Sequence, residues 1–218
     1  MFTDLPADRR RRERMVRDQL EGCSDLRVRC ALAAVPRHNF LPIELQASAY
    51  ADTPLAIGSG QTISQPSVVA AMLARVRVQP GDRVLDVGAG SGYTAALFAQ
   101  LCAPGGTVLA IERHARLVAE ARPRLLETAP AVVLLHGDGL AADGVPGDAP
   151  FDVIHVGAAC DQIPSALLAR LAPAGRLIAP VGPHDGTQRL LFIDHGIHQW
   201  LDEVWFVPGL PGAVDDFS

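Results

Sequence analysis

Five short apolar runs alternate with segments of helical periodicity from Arg83 onward, and this alternation restricts the fold more than any other feature of the chain. Nearly continuous apolar runs are typical of strands that are buried on both faces of a parallel sheet. The intervening segments predict helices at Tyr93 to Cys102, Ala115 to Thr128 and Pro164 to Leu171. The runs are RVLDV (83–87), TVLAI (107–111), AVVLLH (131–136), FDVIHV (151–156) and RLIAPV (176–181). The pattern predicts an α/β fold with a doubly wound, mostly parallel sheet and helices on both faces.

The two ends of the chain depart from this pattern. The stretch RLLFIDHGIHQWLDEVWFVP predicts two strands joined by a turn at His195-Gly196, which form an antiparallel hairpin at the end of the sheet. Residues 1–80 show few strand signals, and amphipathic helices are expected at Glu13 to Leu20 and Leu26 to Val35. The basic run Arg9–Arg12 is interpreted as a solvated helix face. We expect residues 1–218 to form one domain, with a helical N-terminal extension (1–80) and a core (81–218).

Composition and charge exclude several classes of protein. Hydrophobic residues make up 49% of the 218 residues, which is typical of a folded globular chain. The formal charge of −5 disfavours nucleic acid as a partner. All 19 basic residues are arginine, so neither a catalytic lysine nor a phosphate-binding P-loop lysine is present.

Cysteine spacing and hydropathy predict neither a metal site nor a membrane anchor. The four cysteines, at positions 23, 30, 102 and 160, form no C-x-x-C pair. The N-terminal residues are charged and lack the apolar segment of a signal peptide, and the longest uncharged stretch, Thr53 to Ala74, is too polar to span a membrane. We expect a protein of the reducing cytoplasm that holds no metal and does not contact a membrane.

A glycine-rich turn follows the first apolar run. The sequence V84-L85-D86-V87-G88-A89-G90-S91-G92 ends a predicted strand and opens a predicted helix, which is where α/β sheets bind ligands. Gly88 and Gly90 are expected to supply positive φ angles or the absence of a Cβ, and Gly92 to allow close helix packing.

Acidic residues end three successive strands and indicate the ligand. Glu112 can hold the hydroxyls of a ribose, and Asp138, between Gly137 and Gly139, can accept a hydrogen bond from an adenine amine. Asp86 distinguishes between cofactors, because a carboxylate in this turn would repel a pyrophosphate but attract the cationic amino group of a methionine. The residues therefore favour S-adenosylmethionine (AdoMet) over NAD. Each acid on its own is also compatible with a helix cap, a surface charge or a plain turn.

Longer motifs resemble a known family. VLDVGAGSGYTAAL, AIERHARL and HGDG resemble the class I AdoMet-dependent methyltransferases. The segment AYADTPLAIGSGQTISQP (49–66) closely resembles the signature of the protein-L-isoaspartate (D-aspartate) O-methyltransferases, as do VPRHNFLP, FDVIHVGAACDQIP, LAPAGRLIAPVG and VWFVP. The resemblance spans roughly Met15 to Pro208 and implies a Rossmann-like methyltransferase fold.

The resemblance also implies an activity and a set of site residues. Members of this family use AdoMet to methylate the free carboxylate of L-isoaspartyl residues in damaged proteins and peptides, and the ester then collapses to a succinimide. The products include S-adenosylhomocysteine, and a monomer is expected. Ser64 is implied as the catalytic residue, and the active-site segment lies within the N-terminal extension. The residues implied to bind the cofactor are Gln61, Thr62, Ile63, Ser64, Asp86, Gly88, Ala89, Gly90, Ser91, Gly92, Glu112, Arg113, Asp138, Gly139 and Gln188.

The chemistry of such a reaction makes few demands on the protein. A carboxylate is already a nucleophile at neutral pH, and the methyl group of a sulfonium is already activated, so positioning and exclusion of water suffice. Two rival functions stay open. One is a dedicated Asp O-methyltransferase that uses the same motifs to modify a ribosomal peptide. The other is a non-catalytic AdoMet-binding module, against which the intact GQTISQP segment argues. The peptide-modifying relatives often carry an added C-terminal domain, which favours repair for this chain.

Three residues also have plain structural interpretations. Ser64 precedes a predicted helix and is a candidate N-cap. His155, on a predicted buried strand, is expected to be a satisfied core histidine rather than a base. Cys160 is expected to be a small buried filler rather than a reactive thiol.

Overall fold

The computed structural model describes residues 4–216, and its centre is a seven-stranded sheet. Two further strands, β1 (Leu55–Gly58) and β2 (Gln61–Ile63), form a separate antiparallel hairpin. The sheet strands are β3 (Arg83–Val87), β4 (Thr107–Glu112), β5 (Val132–His136), β6 (Phe151–Val156), β7 (Leu171–Val181), β8 (Gln188–Asp194) and β9 (Ile197–Val204). Their order is β5-β4-β3-β6-β7-β8-β9. The first five strands in this order are parallel to one another, and the β7–β8 and β8–β9 pairs are antiparallel.

Helices pack mainly against one face of this sheet. They are α1 (Pro6–Arg14), which continues as a π-helical turn (Met15–Gln19), α2 (Leu26–Ala34), two 3₁₀ turns (Arg37–Phe40 and Ile43–Ser48), α3 (Pro66–Val76), α4 (Tyr93–Cys102), α5 (Ala115–Thr128) and α6 (Ser165–Leu168). An apolar cluster on the α4 side includes Val84, Leu97 and Phe98, and a second cluster on the opposite face includes Leu85, Ile154 and Leu177. Among the described helices, α6 lies on the second face, where Leu167 joins the second cluster. The mostly parallel, doubly wound sheet predicted from the alternation is confirmed.

The C-terminal hairpin is also confirmed. His195 and Gly196 have φ angles of 50° and 76°, as the two central residues of a tight hairpin turn require, and Asp194 pairs with Ile197. The helix expected at Pro164 to Leu171 is shorter, because β7 already begins at Leu171, which pairs with Phe151. Pro173 and Gly175 disfavour a longer helix.

The expectation of few strands before residue 80 missed the β1–β2 hairpin. Ser59 and Gly60 turn the chain with φ angles of 49° and 68°. The side chain of Ile57 lies against the glycine-rich turn, since a Cβ on Gly90 would be 3.0 Å from Ile57 Cδ1. The hairpin therefore places the Gln61–Ser64 segment over the carboxyl ends of the parallel strands.

The basic run in α1 is not solvated along its whole length, because Arg12 is buried. Only 3% of its surface is exposed, and its guanidinium pairs with Asp4 at 2.8 Å. Arg12 Nε donates to the carbonyl of Ala33 at 2.6 Å, and Nη1 donates to the hydroxyl of Tyr50 at 3.2 Å. The interpretation as a solvated face is wrong for Arg12, whose hydrogen bonds connect α1 to α2 and to the loop before β1.

Replacing Arg12 with alanine is expected to lower the free energy of unfolding by about 2–3 kcal/mol, because a buried carbonyl and a carboxylate lose charged donors. Urea unfolding followed by far-UV circular dichroism measures this. Arg10→Ala is the matched control, since Arg10 is an exposed neighbour on the same helix and is expected to change stability by less than about 0.5 kcal/mol. Equal losses in both variants would contradict the anchoring role.

None of the helices within residues 4–216 is both long and apolar enough to cross a membrane. In the same range, no group of three or more His, Cys, Asp or Glu side chains is arranged to hold a metal ion.

Candidate active site

The glycine-rich turn lies at the carboxyl end of β3, next to the end of β4. The backbone N–H groups of Gly88 and Ala89 donate to the carbonyl of Ile111, at 2.8 and 3.1 Å. Gly92, at the N-cap of α4, has a φ of 86°, and a Cβ there would lie 3.0 Å from the side chain of Leu125. The positive φ angles expected for Gly88 and Gly90 and the close helix packing expected for Gly92 are confirmed.

Asp86 lies beneath this turn and is paired with a histidine. Its register partner on β6 is His155, and His155 Nδ1 lies 2.7 Å from Asp86 Oδ1. Asp86 and His155 are only 1% and 6% exposed, and Asp86 Oδ2 has no hydrogen-bond partner among the described residues. An unused carboxylate oxygen in so buried a position fits the cationic amino group expected of a methionine ligand.

Glu112 joins the turn from the end of β4. Its carboxylate is 4% exposed and accepts from the backbone N–H of Gly90 at 2.8 Å and of His114 at 2.9 Å. Two carboxylate oxygens offer about four acceptor positions, so both can still accept from ribose hydroxyls. The structure thus places the Glu112 carboxylate at the glycine-rich turn, as the sequence motifs predict.

The C-terminal segment 209–216 occupies the outer side of this edge. Asp138 accepts from the backbone N–H of Leu140 at 3.0 Å and from that of Gly212 at 2.7 Å. Arg113 directs its guanidinium to the carbonyls of Pro211 and Gly212. Asp138 and the neighbouring Gly139 therefore form a turn at the end of β5, as the plain structural interpretation expects. Their roles toward adenine, and that of Arg113 toward the cofactor, stay predictions.

Two hollows meet at Ser64. The first, here called the turn cleft, is narrow and is lined by Thr62, Ile63, Ser64, Gly88, Ala89, Gly90, Ser91, His155 and Gly157, among others. The second, here called the outer cavity, has a volume of about 420 Å³ and is lined by Pro54, Thr62, Ser64, Gln65, Val68, Gly157 and residues 203–207. Thr62, Ser64 and Gly157 belong to both linings. A molecule in the cleft and another in the cavity would therefore meet beside the Ser64 hydroxyl.

Ser64 neither caps α3 nor hydrogen-bonds through its hydroxyl to any described residue. The N-cap of α3 is Gln65, and no side-chain cap is formed there. Instead Asp52 Oδ1 accepts from the backbone N–H of Ser67 at 2.8 Å, in the first turn of the helix. The interpretation of Ser64 as an N-cap is wrong, and its hydroxyl makes no hydrogen bond within residues 4–216.

Comparison with known proteins identifies the family. Residues 10–209 match the sequence profile of protein-L-isoaspartate(D-aspartate) O-methyltransferase (PCMT). The chain belongs to this family. It is 49% identical over 208 residues to the protein-L-isoaspartate O-methyltransferase of Methylorubrum extorquens (strain PA1), covering 93% of this chain and 89% of that one. It is 46% identical over 208 residues to the enzyme of the same name from Methylorubrum populi, covering 93% and 96%.

A solved structure agrees with the fold of this PCMT-family chain. The beta-aspartate methyltransferase (PCMT) from Plasmodium falciparum, crystallised in complex with S-adenosyl-L-homocysteine, superposes with a TM-score of 0.80 at 28% identity. The match covers 90% of this chain and 97% of that one. The Rossmann-like methyltransferase fold implied by the sequence motifs is confirmed.

Two predicted cofactor residues lie apart from the turn in this PCMT-family structure. Gln188 is fully buried, and its amide donates to the carbonyls of Pro183 and Gly186 while accepting from the N–H of Phe206 at 2.8 Å. Since Phe206 lines the outer cavity, Gln188 supports that wall. Gln61 donates to the carbonyl of Ser59 within its own hairpin. Cofactor contact by either residue stays a prediction.

Sequence reasoning missed other parts of the site. His155 is a buried, satisfied histidine, as expected, but it also fixes Asp86 and lines the turn cleft. A signal was present, since Asp86 and His155 each lie two residues before a glycine that follows a strand, at Gly88 and Gly157. Residues 203–207 show no such spacing. VWFVP (204–208) is part of the family resemblance, but only the hairpin geometry shows that this segment lines the cavity.

Cys160 lies close to the site without serving it. It is 5% exposed, its Sγ contacts the carbonyl of Pro180, and burial raises the pKa of its thiol to about 11. A thiol with this pKa is almost wholly protonated at neutral pH and is a poor nucleophile. The interpretation of Cys160 as a buried filler is confirmed.

Proposed function

We propose that this protein transfers the methyl group of AdoMet to the free carboxylate of L-isoaspartyl residues in damaged proteins and peptides, with S-adenosylhomocysteine as the second product. The observation that carries the proposal is the place of Ser64, an unengaged hydroxyl shared by the turn cleft and the outer cavity. Family membership and the names of the relatives support the same activity.

The glycine-rich turn and the acids around it fit AdoMet. Asp86 Oδ2 would accept from the amino group of the methionine part, and Glu112 would accept from the ribose hydroxyls. The backbone of residues 88–92 would face the ligand closely, and Asp138 would accept from the adenine amine. When bound, the cofactor supplies a methyl group that its positive sulfur has already activated.

The protein positions the substrate rather than activating it. A side-chain carboxyl with a pKa near 4 is ionised at neutral pH and needs no general base. The hydroxyl of Ser64 would donate a hydrogen bond to one carboxylate oxygen and leave the other directed toward the cleft. Holding both reactants in line supplies the rate advantage, since the reaction becomes effectively unimolecular.

The small residues that follow β6 favour a polypeptide substrate. Gly157 forms part of both linings, and a Cβ there would lie 2.9 Å from the carbonyl oxygen of Gly88. The neighbouring Ala158 and Ala159 are also small, which leaves room for a peptide backbone at this strand end. The formal charge of −5 supports a protein partner rather than a nucleic acid. A monomeric state and a cytoplasmic location stay predictions from the sequence.

A paired assay tests this proposal. The purified protein is incubated with labelled AdoMet and two otherwise identical peptides, one with L-isoaspartate and one with ordinary aspartate, and base-labile methyl ester is counted. We expect label only in the isoaspartyl peptide. Label in the aspartyl peptide would favour the dedicated peptide-modifying alternative, and label in neither, together with AdoMet binding, would favour the non-catalytic module.

A further inference from the structure

A shallow groove of about 560 Å³ lies between α3 and the β8–β9 hairpin, outside the site described above. Ala71, Ala74 and Arg75 of α3 form one wall, and Arg189, Trp200 and Leu201 of the hairpin form the other. This hollow is here called the α3–β9 groove. None of the residues that line it also lines the turn cleft or the outer cavity.

The α3–β9 groove continues the outer cavity. On α3, Gln65 and Val68 line the cavity, whereas Ala71 and Arg75 line the groove, and these spacings of three and four residues place all of them on one helix face. On β9, residues 203 and 204 line the cavity and residues 201 and 202 line the groove. The groove and the outer cavity, which Ser64 lines, therefore lie next to each other along both elements.

The two arginines of the groove are available for an acidic partner. Arg75 lies over the ring of Phe192, 5.4 Å from its centroid, and Arg189 lies over Trp200 at 5.8 Å. Within residues 4–216 neither makes an ion pair, whereas nearby Arg77 pairs with Asp194 at 2.6 Å. Arg189 also uses Nε to donate to the carbonyl of Leu201, which holds its guanidinium against the strand. The acid in the groove lining, Asp202, also makes no ion pair with a described residue.

Aromatic side chains and a strand edge complete the surface. The chain has two tryptophans, Trp200 and Trp205, which are 51% and 72% exposed and lie beside the groove and in the cavity lining. Exposed aromatic residues of this size are typical of binding surfaces. β9 is the last strand of the sheet, so its outer backbone groups can pair with an extended peptide.

We propose that the α3–β9 groove binds the polypeptide that flanks the methylated residue and that it selects acidic side chains there. The inference rests on the proposed function, which places the isoaspartyl carboxylate at Ser64. Arg75 lies about 14 Å along α3 from Pro66, the first helical residue after Ser64, at ~1.5 Å per residue. An extended chain covers this distance in about four or five residues, at ~3.3 Å each. The preferred acid is therefore four or five residues from the isoaspartyl residue.

Steady-state kinetics with designed peptides tests the groove. Three peptides share one isoaspartyl residue and carry Glu at the fourth and fifth positions on its N-terminal side, Glu at the same positions on its C-terminal side, or Gln at all of them. We expect one of the Glu peptides to have a KM about three- to tenfold below that of the Gln peptide, with kcat unchanged. The difference is expected to shrink at 0.5 M salt because the arginines are exposed to solvent.

Variants assign the effect to the groove. The double variant Arg75→Gln with Arg189→Gln is expected to bring the KM of all three peptides to the value of the Gln peptide and to leave kcat for that peptide unchanged. Arg122→Gln is the matched control, since Arg122 is an exposed arginine on α5 at the opposite end of the sheet. Equal KM values for all three peptides in the unaltered protein, or a preference that survives the double variant, would overturn the inference.

Intrinsic fluorescence separates this inference from the proposed function. Trp200 lines the groove and Trp205 lines the outer cavity, so binding of a Glu peptide is expected to change their emission, with a weaker apparent affinity in the double variant. Turnover of the Gln peptide tests the proposed function alone. Charge-selective binding without turnover of any peptide would overturn that function and retain the groove as an acidic-peptide site. Turnover with neither charge-dependent KM nor charge-dependent emission would overturn the groove and retain the function.

Discussion

Replacing Ser64 with alanine is expected to lower kcat for the isoaspartyl peptide by about 10²-fold, the size of effect seen when one donor to a reacting oxygen is removed. The variant is expected to keep its fold, because the Ser64 hydroxyl neither caps α3 nor makes a hydrogen bond among the described residues. The affinity for AdoMet is expected to stay essentially unchanged, since the hydroxyl is proposed to donate to the carboxylate of the substrate. Single-turnover methylation and calorimetric AdoMet titration measure the two quantities.

Ser67→Ala is the matched control for this experiment. Ser67 lies in the first turn of α3, and its hydroxyl accepts from the side chain of Gln65 without lining either the turn cleft or the outer cavity. Its kcat is expected to match that of the unaltered protein. If Ser64→Ala turned over at the normal rate, Ser64 would not be the catalytic residue. If it lost AdoMet binding and activity together, Ser64 would hold the cofactor instead.

Replacing Asp86 with asparagine is expected to weaken AdoMet binding by about 10²-fold, as is typical when one partner of a buried charged pair is neutralised. Asparagine keeps the shape of the side chain and can keep the contact to His155 through its oxygen. The free energy of unfolding is not expected to fall, because the substitution removes a buried charge with one unpartnered oxygen. Calorimetric titration and urea unfolding measure the two effects.

A fragment of the cofactor sharpens this test. Methylthioadenosine carries the nucleoside but lacks the amino acid part, so its affinity is expected to be the same for Asp86→Asn and the unaltered protein. Glu112→Gln is the reciprocal variant, because Glu112 is proposed to accept from the ribose hydroxyls, and it is expected to weaken AdoMet and methylthioadenosine alike. A uniform loss of both ligands in Asp86→Asn would show that Asp86 shapes the turn instead of binding the amino group.

Local sequence patterns predicted the parallel core closely. The bounds of β3, β6, α4 and α5 agree with the runs and periodic segments that predicted them. The reason is that a strand buried on both faces and a helix with one buried face each leave a strong pattern of their own. The β1–β2 hairpin was missed because its strands are short and half-exposed.

The hydrogen-bond partners of individual polar side chains depend on tertiary packing, which local sequence patterns do not show. Arg12 belongs to a run of arginines whose sequence predicts uniform exposure to solvent, yet its side chain is buried and hydrogen-bonded to α2 and Tyr50. Gln188 and Arg113 donate to the backbone carbonyls of Gly186 and of Gly212, and their contact with the cofactor stays a prediction. In each case the partner is far away in the chain or lies in a loop, so no spacing rule could name it.

Local sequence is enough to specify the parallel α/β core, the glycine-rich turn and the acids that follow its strands, because strand burial and turn conformation depend on neighbouring residues. Long-range packing pairs His155 with Asp86, places Ser64 between two hollows, and sets Arg75 of α3 and Arg189 of the β8–β9 hairpin on one groove. These arrangements depend on strand order and on the packing of segments tens of residues apart. Such contacts form when the sheet assembles, and they leave no periodicity in the chain.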